Sequence, residues 1–366
     1  MLQTISNSSE QTIIFSILFF TALLFFLRRK KNQQGFSLEV TASLKGFAIL
    51  TIIFGHIGYF LFTDHSFLFP LSTISGVGVD LFLLLSGYGL AISALKKNYL
   101  PLEFYQKRIG KIFLPLWITL IIFLLLDATI LHIFYNWEVI VKSFLGFYPR
   151  ADIYLDLNSP LWYLTLILFY YIVFPWVFKP KKPFLSAAFL AIISTILVSL
   201  TLPVNPGVQH LYQLHFLAFP LGIALAGLSQ HWPKVSQHKI FQQIKSPIQS
   251  EIIRYISLAL LFGILFFSLR PEENQLIYQL LSLLSAISIT TIFILTKLRF
   301  QLLEVFGNYS YEIYLLHWPL LYRYDFLFRF FPAGPSTAIY LIILLGLAYL
   351  LQKIPSNTFN FNKKSP

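Results

Sequence analysis

The sequence predicts an all-α fold: a polytopic transmembrane bundle of about eleven membrane-spanning helices, with the N-terminus outside and the C-terminus inside. Of its 366 residues, 57% are hydrophobic and only 11% charged, too apolar a balance for a core that water must enclose. Apolar runs of roughly 17–22 residues recur along the chain, each closed by polar or charged residues, and a helix needs about that length to cross some 30 Å of hydrocarbon. A closed β-barrel would instead show short alternating segments, and the sequence has none. Charge placement sets the orientation. With the N-terminus outside, all but Lys142, Arg150, Arg270, Arg323 and Arg329 of the 27 Lys and Arg fall on the cytoplasmic side, as the positive-inside rule requires.

Taken in order, the spans lie near 12–27, 46–63, 77–95, 112–131, 161–178, 184–202, 212–229, 253–269, 277–296, 308–322 and 336–351. The first, Thr12 to Leu27, has no basic residue before it and Arg28, Arg29, Lys30 and Lys31 directly after it. A cleavable signal peptide has the opposite order, so this run reads as a retained, reverse-oriented anchor. The longest outer connection, His132 to Pro160, carries Phe134, Tyr135 and Trp137 beside Glu138, Asp152 and Asp156, a mixture suited to the interface or to a lid folded back on the bundle. The longest inner connection, Gln230 to Arg254, is polar and basic and separates two groups of helices. The sequence shows no internal repeat, which counts against inverted-repeat transporters.

Composition also excludes chemistry. The chain has no cysteine, so a disulfide, a thiolate metal site and an acyl-cysteine intermediate are all ruled out. A net charge of +12 would suggest nucleic acid in a soluble protein; here topology accounts for it, and no nucleic-acid partner is expected.

Polar residues at bilayer depth are costly and tend to be functional. Lys45 and His56 are eleven residues apart, which returns a helix to within about 20° of its starting face after a rise of about 16 Å. Lys45 alone reads as a cytoplasmic anchor and His56 alone as a hydrogen-bonded packing residue. The aligned pair points to function, with Lys45 at the cytoplasmic mouth and His56 at the midplane. Asp80 lies in Gly-Val-Asp80-Leu-Phe-Leu-Leu-Leu-Ser86-Gly-Tyr, where a lone carboxylate must bind a backbone amide or an Arg, or else orient a histidine. Ser310, Tyr314 and His317, spaced by four and three, share one helical stripe. Such a stripe faces protein or water, for interhelical hydrogen bonding or for chemistry. Lys107, Arg108 and Lys111 form a basic cluster that topology explains, yet cations at a helix mouth also suit the phosphates of a nucleotide-like donor. Asp127, His132, His210 and His215 stand near outer span ends without metal-site spacing.

Together these residues resemble acyltransferase family 3, the membrane enzymes that O-acylate surface polysaccharides and related sugars. Four blocks match in order. Lys45 to His56 resembles the R/K-x10-H block, with Lys where Arg is commoner. Gly78-Val79-Asp80 to Ser86-Gly87-Tyr88 resembles G-V-D-x-F-F-x-x-S-G-F. Phe104 to Pro115 resembles F-x-x-R-R-x-x-R-I, with Lys107 and Lys111 replacing Arg. Tyr309 to Pro319 resembles S-Y-x-x-Y-L-x-H-x-P. Pro160-Leu161-Trp162-Tyr163-Leu164 with Tyr170, Tyr171 and Pro175 resembles a W-x-L segment in which some members carry a Glu; here only apolar residues and Thr165 stand there.

The resemblance implies a core of about ten helices over residues 45–352, preceded by an additional anchor and basic loop at 1–44 and followed by a cytoplasmic tail at 353–366. It implies a multi-pass protein of a bacterial inner or plasma membrane. It also implies an O-acyltransferase, most simply an O-acetyltransferase, that moves an acyl group from cytoplasmic acyl-CoA to a hydroxyl of a cell-surface polysaccharide or glycolipid. In that scheme His56 is the general base; Lys45, Arg108 and Lys111 hold donor phosphates; Asp80 orients or charge-balances the site; and Ser310, Tyr314, His317 and Trp162 support it or relay the acyl group. No cofactor is permanently bound, acyl-CoA being a substrate and acetyl-CoA the expected one. The partners are the bilayer, the donor, the acceptor and, as an open alternative, further copies of the chain. The rival is a transporter or flippase for lipid-linked saccharides, which also needs midplane polar residues.

Overall fold

The computed structural model describes residues 5, 7–29, 36–63, 65–97, 100–151, 156–236, 247–268 and 274–359, with the side chains of Lys107, 231–236, 247–250, 252–253 and 355–359 left aside. Among the described residues the regular elements are helices, apart from one short ribbon. Helices α1 (Ser8–Phe25), α2 (Leu38–His56), α3 (Ser75–Lys96), α4 (Pro101–Leu126), α5 (Trp137–Phe144), α6 (Trp162–Val177) and α7 (Pro183–Ser199) are followed by α8 (Pro206–His215), α9 (Ala218–Ser236) and α10 (Pro247–Ser268). After these come α11 (Gln275–Leu295), α12 (Gln301–Asn308), α13 (Ser310–Tyr322) and α14 (Ala333–Phe359).

Eight helical stretches among the described residues are long and apolar enough to cross a membrane. The expected spans 184–202 and 253–269 fall on shorter apolar helices, Pro183–Ser199 and Arg254–Ser268. The expected span 308–322 is the 13-residue α13, directly preceded by α12. The chain is thus a multi-pass membrane protein built on a large apolar core with a smaller apolar cluster beside it. Helix α2 is its centre: 72% of its spanning stretch is buried within the protein, against 11% for α1, which stands at the edge.

Glycines set the tightest helix pairs, since a residue without Cβ lets two backbones touch. A Cβ on Gly46 would lie 1.8 Å from the Leu303 carbonyl oxygen, and one on Gly307 equally close to that of Ala42. Helices α2 and α12 therefore cross backbone to backbone. Gly87 and Gly222 play the same part between α3 and α9, with 2.2 and 2.0 Å to Phe219 O and Leu84 O.

Prolines remove helical hydrogen bonds here, and buried side chains replace them. Pro319 has no N–H for the Leu315 carbonyl four residues back; Asn158 Nδ2 donates to it instead, at 2.9 Å. Pro220 likewise frees the Phe216 carbonyl, and the Tyr170 hydroxyl donates to it at 2.5 Å. At this second site the helix breaks, at Phe216–Leu217, so the expected single span 212–229 is in fact two helices, α8 and α9.

The expectation of helices alone omits one element. Residues β1 (Leu27–Arg29) and β2 (Leu298–Phe300) pair antiparallel, with Arg28 opposite Arg299. Three-residue strands carry no readable period, and their pairing joins distant parts of the sequence. A bidentate ion pair from Arg299 to Glu304, at 2.7–3.1 Å, fastens β2 to α12.

At the other end, Asp127 is fully buried. It accepts hydrogen bonds from the hydroxyls of Tyr135 (2.8 Å) and Tyr324 (2.6 Å) and forms an ion pair with Arg323 at 3.1 Å. Arg323 also donates to the Leu157 carbonyl at 2.5 Å, so both ends of the His132–Pro160 connection are tied to the end of α13. Of that connection, Asp152 lies outside the described residues.

Candidate active site

A cavity of about 1090 Å³ opens among α2, α3, α4, α6, α11 and α13. That exceeds most small-molecule pockets, which run about 300–1,000 Å³, so parts of two substrates can meet in it. Lys45, His56, Arg108, Lys111, Trp162, Ser310 and Tyr314 all line it. Asp80 and His317 stand directly behind lining residues.

The Gly46–Gly307 crossing explains one end. It brings Lys45, next to Gly46, against the turn Gly307-Asn308-Tyr309-Ser310, and α4 adds Arg108 and Lys111. None of the three cations forms an ion pair with a described residue. Glu312 also stands on the wall and is buried.

His56 ends the regular part of α2, and the chain then widens into a π-helical turn, Ile57–Leu61, a local irregularity common at functional sites. Its ring stacks on that of His317, 5.0 Å between centroids, and His56 Nδ1 lies 2.9 Å from His317 Nε2. The tautomers follow from a third contact. His317 Nδ1 is 2.8 Å from the Tyr314 carbonyl oxygen, which can only accept, so Nδ1 carries the proton. In the neutral pair His317 Nε2 is then an acceptor, and His56 Nδ1–H donates to it. The free lone pair of His56 is left on Nε2, on a ring that lines the cavity. Trp318 packs at 5.2 Å from the His56 ring, and the Tyr340 hydroxyl donates to the His317 carbonyl, which ties down the backbone that carries the second ring.

Ser310, Tyr314 and His317 are all buried, the first two on the cavity wall and the third behind it. Tyr314 donates to the Pro160 carbonyl at 2.6 Å. That bond joins α13 to the segment carrying Trp162, on the cavity wall.

Asp80, wholly buried, accepts from His215 Nδ1–H at 2.8 Å and from the Ser282 hydroxyl at 2.5 Å. Of the roles open to it, orienting a histidine is the one the geometry realises, and the histidine is His215. The His215 ring lines the cavity and stacks on Trp162, 6.0 Å between centroids at 22°. Sequence reasoning gave His215 no role, and it also left out Tyr278. The one available signal was that a lone buried carboxylate demands a partner.

No curated protein and no solved structure matches the chain. The acyltransferase family 3 model, described as an acyltransferase domain, matches residues 43–353. That stretch contains the whole cavity wall with its cationic end, and both of the paired histidines, and with this match the chain belongs to acyltransferase family 3 as a membrane acyltransferase.

Proposed function

We propose that the protein is an O-acyltransferase that takes an acyl group, acetyl in the simplest case, from cytoplasmic acyl-CoA and passes it to a hydroxyl of a cell-surface polysaccharide or glycolipid. The observation that carries this reading is the His56–His317 pair, which leaves an unprotonated Nε2 on the wall of a cavity whose other end holds Lys45, Arg108 and Lys111. An imidazole base suits a hydroxyl nucleophile near neutral pH. Cations without carboxylate partners suit the phosphates of a CoA thioester.

The acceptor oxygen attacks the thioester carbonyl carbon while His56 Nε2 takes its proton. A C–O bond forms and the C–S bond breaks. The imidazolium then returns the proton to the departing thiolate, leaving ester, free CoA and neutral His56. As His56 becomes cationic, its Nδ1–H bond to His317 becomes charge-assisted and strengthens, so His317 stabilises the charge that develops during transfer.

The topology that goes with this reading has eleven spans, the N-terminus outside and the C-terminus inside, in a bacterial cytoplasmic membrane. It puts the cationic end toward the cytosol, where acyl-CoA is made. Mass spectrometry of surface glycans with and without the gene, together with acyl-CoA turnover by purified protein, tests the reading. Unchanged glycans and no turnover would refute it.

A further inference from the structure

The cavity has a second end, chemically unlike the first. There the ring of His215 stacks on Trp162, and the Tyr278 hydroxyl stands nearby: a Cβ built on Gly76 would lie 2.7 Å from the Tyr278 oxygen and 3.7 Å from His215 Cε1. Gly76 follows Ser75, which is itself the closest neighbour of Gly55, the residue before His56. This end therefore sits at the depth of His56, whereas Lys45 lies about three helical turns away along α2.

Its exposed polar atoms belong to an imidazole, a phenol and an indole rather than to Lys or Arg. Asp80 accepts from Nδ1–H of His215, so Nε2 is the ring nitrogen left for the cavity. Among the described residues His215 Nε2, the Tyr278 hydroxyl and Trp162 Nε1–H have no hydrogen-bond partner, although all three residues line the cavity. Together they offer an imidazole nitrogen, an indole N–H donor and a hydroxyl that both donates and accepts, on an aromatic wall. Adjacent hydroxyls on a sugar ring each donate and accept, and the ring's C–H face packs on aromatic carbon. A phosphate or carboxylate would instead call for the cationic end.

We propose that His215, Tyr278 and Trp162 form the seat of the acyl acceptor, that its class is a polyhydroxylated ring such as a hexose unit, and that Asp80 acts on it by positioning His215. This rests on the acyltransferase reading for the word acceptor, while the saccharide seat itself stands or falls on binding. Helix α11 supplies both supports from one face: Tyr278 reaches the cavity and Ser282, four residues on, holds the second oxygen of Asp80.

The test is saturation-transfer NMR on purified protein in a detergent without a sugar headgroup, with maltotriose and chitotriose as probes and triethylene glycol as the non-cyclic control, beside a separate measurement of acetyl-CoA binding. Wild-type protein is expected to bind at least one saccharide in preference to the glycol. His215→Gln should weaken that saccharide at least ~5-fold, with acetyl-CoA affinity changed less than twofold. Tyr278→Phe removes one oxygen and almost no volume, and it should weaken the same probe with an unchanged melting temperature. Asp80→Asn is expected to weaken it through the histidine. No saccharide preference in the wild type, or unchanged saccharide affinity in a folded His215→Gln or Tyr278→Phe protein, overturns the proposal. Saccharide binding without acetyl-CoA binding would instead uphold the seat and refute the acyltransferase reading.

Discussion

The His56–His317 contact gives the sharpest prediction, because one bond decides which nitrogen of His56 is the base. In His317→Ala the Nδ1–H of His56 loses its acceptor, and with it the charge-assisted bond that forms when His56 takes a proton. Hydrogen bonds to charged groups are worth about 1.5–3 kcal/mol, and each ~1.4 kcal/mol of barrier is tenfold in rate. His317→Ala should therefore lower the transfer rate about 10- to 100-fold. His56→Ala, which removes the base itself, should lose at least ~100-fold. His317→Gln keeps an amide oxygen able to accept from Nδ1 and should retain more activity than His317→Ala.

The two residues act as one unit, so the double variant should be no slower than His56→Ala alone. Initial rates of acyl transfer at saturating donor, measured on protein whose melting curve is normal, decide the matter. Transfer within twofold of wild type in a folded His317→Ala protein would refute the tautomer argument. Additive losses in the double variant would refute the shared role.

Four further outcomes are expected. Arg108→Ala or Lys111→Ala should raise the acyl-CoA concentration for half-maximal rate by about tenfold or more, the cost of one charge-assisted bond, and leave the acceptor dependence unchanged; the reverse pattern would move the donor to the other end. Gly46→Ala puts a Cβ 1.8 Å from the Leu303 carbonyl oxygen and should destabilise by the upper end of about 1–3 kcal/mol or more, whereas Gly89→Ala, with nothing within 4 Å, should leave the melting temperature almost unchanged. Asp127→Ala leaves Arg323 with a buried unpaired charge, which costs about 3–5 kcal/mol, so proteolysis in the His132–Pro160 connection should accelerate; unchanged cleavage would show that the latch holds nothing. Reporter fusions at Gln3 and Lys364 should fall in opposite compartments, and finding both on one side would require an even number of spans.

What could be read from sequence, and what could not, follows from the range of the forces involved. Lys45 and His56 share a face because a helix repeats locally, and both indeed line one cavity. The Ser310–Tyr314–His317 stripe is local in the same way. The bond that matters joins His56 to a residue 261 positions away, and periodicity says which way a side chain points on its own helix, never which helix it meets. Asp80 shows the same limit. Its burial demanded a partner, but the partner came from α8 and a second one from α11, 135 and 202 residues on. Glycine, by contrast, marks close approach without naming the neighbour. Gly46 stands inside one matching block and Gly307 two residues before another, yet only the fold shows that they meet at the same crossing. That crossing carries the functional consequence: it fixes α12 on α2, and α13 starts two residues after α12 ends. The placement of His317 opposite His56 therefore depends on two residues that have no side chain, and a methyl group at either should disturb the base from about three helical turns away.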